Sequence, residues 1–151
     1  MAHDVQIVID SARPHELADW WAEVLGWEVE PQDEAFIRRM VDEGHASADQ
    51  TTRHKGALVW AVGAAIRSPE PGRSRVLFQS VPEAKTVKNR VHLCLRPETS
   101  RDPEVERLTG LGATLVDDLR NPDGSGWAVL ADPEGNEFCV LRSESDRAAT
   151  S

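Results

Sequence analysis

The chain carries one pattern twice, and that repetition limits its fold more than any other property. Val5-Gln6-Ile7-Val8-Ile9 and Val91-His92-Leu93-Cys94-Leu95 both alternate as strands, and each is followed at the same offset of 86 residues by a helix ending in Leu-Gly, at Leu25-Gly26 and Leu111-Gly112. Trp60-Ala61-Val62 returns as Trp127-Ala128-Val129 at an offset of 67, so the first copy holds an insertion of 19 residues before Trp60. Duplicated halves with matching strand faces predict one sheet system, with any site where equivalent strands converge.

The first copy reads as β-α-β-β-β. A strand over 4–10 precedes Pro14, well placed in a first helical turn with Glu16 on the favourable end of the dipole. Leu17, Trp20, Trp21, Val24 and Leu25 form a helical apolar stripe that needs a sheet beneath it, and Gly26 stops the helix. A short strand over 27–30 follows, then an inserted helix over 33–43 with Phe36, Ile37, Met40 and Val41 on one side, then a polar loop over 44–55. Strands over 58–65 and 75–81, separated by the turn at Pro69-Glu70-Pro71-Gly72, complete the half.

The second copy repeats the order with less decoration: a strand over 90–96, a helix from Pro103 to Leu111, a short strand over 113–116, and strands over 126–131 and 136–141 joined by Asp132-Pro133-Glu134-Gly135. The polar tail over 144–151 is expected to fray. The chain is expected to be a single domain over 1–151, with module one at about 3–82 and module two at about 88–143. At 151 residues a chain buries roughly 70% of its unfolded surface, enough for one sizeable core.

Strand parity separates core from cavity, because neighbouring side chains point to opposite faces. Val5, Ile7, Ile9, Phe78, Val91, Leu93, Leu95, Phe138 and Val140 are uniformly apolar and are expected under the helices. Their alternates, Gln6, Val8, Leu77, Gln79, His92, Cys94, Glu137 and Cys139, mix polar and apolar groups. A few convergent polar groups among apolar walls are what a ligand site requires.

Charge excludes other classes. With 17 Lys+Arg against 26 Asp+Glu the net charge is −9, which opposes the counterion release that drives nucleic-acid binding. Nucleic acid and membrane are therefore not expected as partners. The longest nearly apolar run, over 56–66, falls far short of the roughly 20 residues a spanning helix needs, and a cytoplasmic protein is expected. Cys94 and Cys139 do not make a secreted disulfide framework. No nucleophile and base pair, phosphate loop or cofactor fingerprint stands out.

The duplicated unit and the run Asp132-Pro133-Glu134-Gly135-Asn136-Glu137-Phe138 resemble the vicinal oxygen chelate superfamily in its glyoxalase-like branch, over nearly the whole chain. The stretch over 78–93 is similar to small bacterial glyoxalase-like proteins. The resemblance implies an α+β fold of two βαβββ modules forming an eight-stranded, incompletely closed mixed barrel or cup, with helices outside. It also implies a metal position on the first and last strands of each module, which here means Gln6 and Gln79, then His92 and Cys139. Metal-dependent members typically have His and Glu there; neutral amides are weak donors that do not offset a divalent charge. No cofactor is expected. A divalent metal is the alternative, held by His92 with Cys139 and, if zinc, completed by Glu137 and Cys94. An acidic residue is common in relatives where Cys94 stands.

Most of these residues also have plainer readings. His92 can be a half-buried histidine hydrogen-bonded to a glutamine, the cysteines small hydrophobes, and Trp60 and Trp127 either core or pocket wall. His45 and His54 fall in the polar insertion, solvated or part of a lid. The function expected first is binding of a small, partly apolar metabolite or drug-like molecule by Gln6, Val8, Trp60, Leu77, Gln79, His92, Cys94, Trp127, Glu137 and Cys139, without a tight metal. The alternatives are a metal-dependent lyase or isomerase in which Glu137 moves a proton, and an interaction module whose sheet face makes a homodimer.

Overall fold

In the computed structural model, which describes residues 1–72 and 74–150 with the last three as backbone only, the chain divides into two compact units, Met1–Ala84 and the segment from Lys85 on. The first runs β1 (Ile7–Ser11), α1 (Pro14–Leu25), β2 (Glu28–Val29), α2 (Glu34–Asp42), β3 (Thr51–His54), β4 (Ala57–Trp60), β5 (Gly63–Arg67) and β6 (Arg75–Ser80). The second runs β7 (Cys94–Leu95), α3 (Arg101–Gly110), β8 (Thr114–Arg120), β9 (Gly126–Ala131), β10 (Glu137–Val140) and α4 (Glu144–Thr150).

Each unit builds a four-stranded sheet of the same topology. The orders are β1-β6-β5-β2 and β7-β10-β9-β8, with the first strand parallel to the last and the others antiparallel. The α+β class and the βαβββ order thus appear twice, and the duplication read from sequence survives in strand connectivity. Among the described residues no sheet closes on itself, and a separate hairpin, β3-β4, brings the strands to ten.

Register fixes which side is core. In the first sheet Ile9 pairs with Phe78 and Phe78 with Ala64; Phe78 and Ala64 are buried, as are Leu17, Ala18 and Trp21 of α1, while Ile9 is half-buried. In the second, Phe138 pairs with Leu130 and Val140 with Ala128, all within 1% of full burial, while Val105 and Leu108 are the buried residues of α3's apolar face. Burying a side chain the size of Phe78 or Phe138 contributes about 2–3 kcal/mol. Pro14 at the start and Gly26 in the left-handed conformation at the end bound α1 as expected.

Several sequence expectations need correction. The expected loop over 44–55 contains a short 3-10 turn at Ala48–Gln50 and then β3, which pairs with β4. The apolar run over 58–65 consequently breaks at Ala61-Val62 and serves two sheets, leaving Val62 64% exposed. The strand over 90–96 shrinks to Cys94–Leu95, the two residues paired with β10, and ahead of it the Glu137 carboxylate takes the Asn89 N–H. Val5 and Val91, expected in the core, lie beyond the ladders and are 70% and 86% exposed. On α2 only Ile37 is buried; Phe36 is exposed with the Arg39 guanidinium over its ring.

The tail differs most. Residues expected to fray form α4, started by a reciprocal cap in which Ser143 Oγ accepts from Asp146 N–H while Asp146 Oδ2 accepts from Ser143 N–H. Ser151, the last residue of that expected tail, lies outside the described residues.

Candidate functional site

The second sheet presents a concave apolar cavity of about 590 Å³ on the face opposite its core. Register explains its lining. Cys139 pairs with Cys94 on one side and Val129 on the other, Val129 pairs with Asp117, and Trp127 pairs with Leu119, so these side chains share one face. A bulge between Leu115 and Asp117 admits Val116 to the same wall, and Leu141 closes the row. Trp127, Leu119 and Val116 remain 43%, 41% and 54% exposed, an apolar surface without a core to cover it. Polar groups are few: His92, Lys88, Asp117 and Glu137. That volume and that balance suit a small organic molecule.

Glu137 lies at the cavity edge with both oxygens occupied. Oε1 accepts from Lys85 Nζ and Oε2 from the Asn89 backbone N–H, each at 3.0 Å. The Asn89 N–H and, after a desolvation penalty of opposite sign, the Lys85 ammonium hold its pKa down at about 2. A carboxylate so held is a poor proton acceptor near neutral pH; it fastens the segment before β7 to β10.

His92, Cys94 and Cys139 come together on the cavity floor. Cys94 Sγ and Cys139 Sγ stand 3.8 Å and 3.9 Å from His92 Nδ1, and the three donor atoms lie within 4.8 Å of one another. His92 and Cys94 are exposed and Cys139 is buried. Burial, then the neighbouring Cys94, pushes the Cys139 thiol up to about 11, with Lys88 opposing.

The first unit's candidates are dispersed. Val8 pairs with Leu77, and Leu77 with Ala65, on the less buried face of the first sheet. Gln79 pairs with Asp10 at one end of the β1-β6 ladder, whereas Gln6 precedes the other end and its Oε1 accepts from Arg75 Nη1. Four residues separate those levels, about 13 Å along the strands. Trp60 sits not in the four-stranded sheet but at the end of β4, where its carbonyl accepts from His15 Nε2 and its N–H donates to Gln32 Oε1. The repeated Trp-Ala-Val tripeptide therefore occupies different elements in the two copies.

A divalent cation of the hard kind does not fit these positions. Gln6 is already engaged by a guanidinium, the two glutamines do not converge within their sheet, and the second unit offers imidazole and thiol rather than carboxylate.

Sequence reading missed two features. Val116, Asp117 and Leu119 line the cavity because β8 runs through Arg120, and Lys88 and Leu141 join them from the segments flanking β7 and β10. In the first unit His54 Nε2 lies 2.6 Å from Asp19 Oδ2, and Lys55 Nζ 2.9 Å from the same oxygen, tying the β3-β4 hairpin to α1. Burial works to raise the Asp19 pKa, but the bonds from Lys55 and His54 outweigh it and hold it low.

Residues 6–141 match the family model described as a glyoxalase-like domain. Among solved structures, a glyoxalase/bleomycin resistance protein/dioxygenase superfamily member from Sphaerobacter thermophilus DSM 20745 is similar at 16% identity and TM-score 0.56, over 93% of this chain and 97% of that one. A family enzyme of the same description from Burkholderia phytofirmans PsJN is similar at 17% identity and TM-score 0.54, over 89% and 94%. TnmS3, an antibiotic binding protein from Streptomyces sp. CB03234, is similar at 16% identity and TM-score 0.52, over 95% and 98%. No curated protein matches the sequence. With a family match over nearly its whole length and a β-α-β-β-β sheet built twice, the chain belongs to the glyoxalase-like branch of the vicinal oxygen chelate superfamily.

Proposed function

We propose that this protein binds a small, partly apolar metabolite or drug-like molecule on the open face of its second sheet, without a hard divalent cation. The observation that carries the reading is the cavity of about 590 Å³ whose walls are Val116, Leu119, Trp127, Val129 and Leu141. Unsatisfied apolar area supplies affinity at roughly 25 cal/mol per Å² before the costs of association, and His92, Lys88 and Asp117 supply direction. An antibiotic binding protein among the similar structures accords with binding as the role of such a fold. The lyase alternative is weakened by Glu137, whose two oxygens are spent on Lys85 and Asn89.

The proposal extends to cytoplasmic residence, since two free thiols suit a reducing compartment. Among the described residues no helix is long and apolar enough to cross a membrane.

Intrinsic tryptophan fluorescence tests the reading against a panel of small aromatic and polyketide-like molecules. Saturable quenching by at least one class is expected, with affinity lowered at least about tenfold in Leu119→Arg, an exposed position that tolerates charge. Quenching unchanged in that variant, or absent across a broad panel, overturns the proposal and leaves the exposed apolar face as an interface between copies of the chain.

A further inference from the structure

We infer that Cys94 and Cys139 form a peroxide-responsive dithiol that closes to a disulfide across the floor of the second module's cavity and reopens with a small thiol such as glutathione. They are the chain's two cysteines, both free, and they fall opposite each other as register partners on the parallel strands β7 and β10. Paired residues of neighbouring strands stand about 4.8 Å apart, inside the Cα range of roughly 4.4–6.8 Å that disulfides span. Both side chains line the cavity, and their sulfurs lie within 4.8 Å of each other. Closing the bond requires turned side chains and Cβ atoms drawn to about 3.8 Å. β7 is the strand that yields: it has two ladder residues, Cys94 is the first of them, and Val91 and His92 before it are exposed.

Exposure divides the roles of the two thiols. Cys94 is exposed and meets oxidant from solvent, whereas Cys139 is buried and reaches what its neighbour carries. Hydrogen peroxide converts the Cys94 thiol to a sulfenic acid: an S–O bond forms, the O–O bond breaks and water is released. The Cys139 sulfur then attacks the Cys94 sulfur, the S–O bond breaks, and the hydroxyl leaves with the Cys139 thiol proton as a second water. Peroxide is reduced and the thiol pair oxidised, with two electrons passing between them. Two molecules of glutathione reverse the bond and become glutathione disulfide. Packing explains Cys139 as a small hydrophobe, but not a second, exposed cysteine in its register row. The inference needs no ligand in the cavity and so stands apart from the small-molecule reading.

The test treats the reduced full-length protein with equimolar hydrogen peroxide, quenches with acid, and measures intact mass and free thiols. Loss of both thiols is expected with a mass decrease of about 2 Da, in a species that runs as a monomer on a non-reducing denaturing gel and regains both thiols in reduced glutathione. Cys139→Ala, a change between small side chains checked by circular dichroism, should instead accumulate a Cys94 sulfenic acid that a cyclic dione traps. In Cys94→Ser, at an exposed position, the remaining thiol should be lost at least about tenfold more slowly than the parent's thiols. Mass gained as oxygen with Cys139 still free, a disulfide joining two chains, or equally fast thiol loss in Cys94→Ser overturns the inference. Fluorescence titration of protein held reduced by a phosphine measures organic-ligand binding with the dithiol open, so the two failures are separable.

Discussion

Lys85 Nζ stands 3.0 Å from Glu137 Oε1, an ion pair in which both side chains are largely covered and whose carboxylate also holds the Asn89 backbone N–H. This one side chain does what a longer strand would have done for the residues before β7. It positions the segment that carries Lys88 and His92 beside the cavity.

Glu137→Gln should cost about 2 kcal/mol in urea unfolding, since an amide keeps one acceptor and sets a donor against a donor. The pH dependence has a definite sign. The folded-state pKa of Glu137 is about 2, below its ordinary 4.5, so its contribution is complete above about pH 5 and is lost as pH falls toward 2. Stability measured from pH 5 to pH 2 should fall less steeply in the variant than in the parent.

Asp146→Ala should destabilise the second unit by about 2–3 kcal/mol. Its Oδ2 accepts from the backbone N–H of Arg101 and of Ser143, and from Ser143 Oγ, joining the starts of α3 and α4. Arg101 itself is 4% exposed and donates through Nη1 to the carbonyls of Gly124, Ser125 and Gly126. Arg101→Met should therefore be at least as damaging, leaving three carbonyl acceptors without that donor, and denaturant midpoints for the two variants check both values.

Gly126→Ala and Gly110→Ala should move stability in opposite directions. Gly126 has φ +85° and an added Cβ would press on the Leu119 carbonyl oxygen, so the substitution should cost about 3 kcal/mol or more. Gly110 lies in α3 with nothing near an added Cβ, and alanine there should stabilise by about 0.5–1 kcal/mol. Thermal melts of the two variants separate the predictions.

Asp19→Asn should loosen the β3-β4 hairpin without unfolding the sheet. His54 and Lys55 both bond Asp19 Oδ2, and losing the charge should cost about 1 kcal/mol locally. Amide exchange should quicken at Thr51–His54 and Ala57–Trp60 while Gly63–Arg67 and Arg75–Ser80 keep their protection.

Duplication was legible because it rests on strand parity and on a helix stopped by Leu-Gly, both local signals, and the family resemblance rested on the Asp132 to Phe138 run. What escaped was decided by contacts distant in sequence. Thr51 to His54 reads as loop until Trp60 to Ala57 pair with it, and of the run over 90–96 only Cys94 and Leu95 find ladder partners on β10. Ser143 and Asp146 did carry a readable capping pattern, Ser-x-x-Asp. In the site, the His92, Cys94 and Cys139 grouping followed from parity within one module, whereas Gln6 and Gln79 could be placed at opposite ends of a ladder only once the β1-β6 register was known.

The most direct measurement is backbone-amide and tryptophan-indole chemical-shift mapping of the labelled protein at saturation with the tightest ligand from the fluorescence panel. The account predicts the largest changes at Trp127, Val129, Leu119 and Cys94, with α3 little affected. Changes confined to α2 or α3, with the second sheet silent, would contradict it.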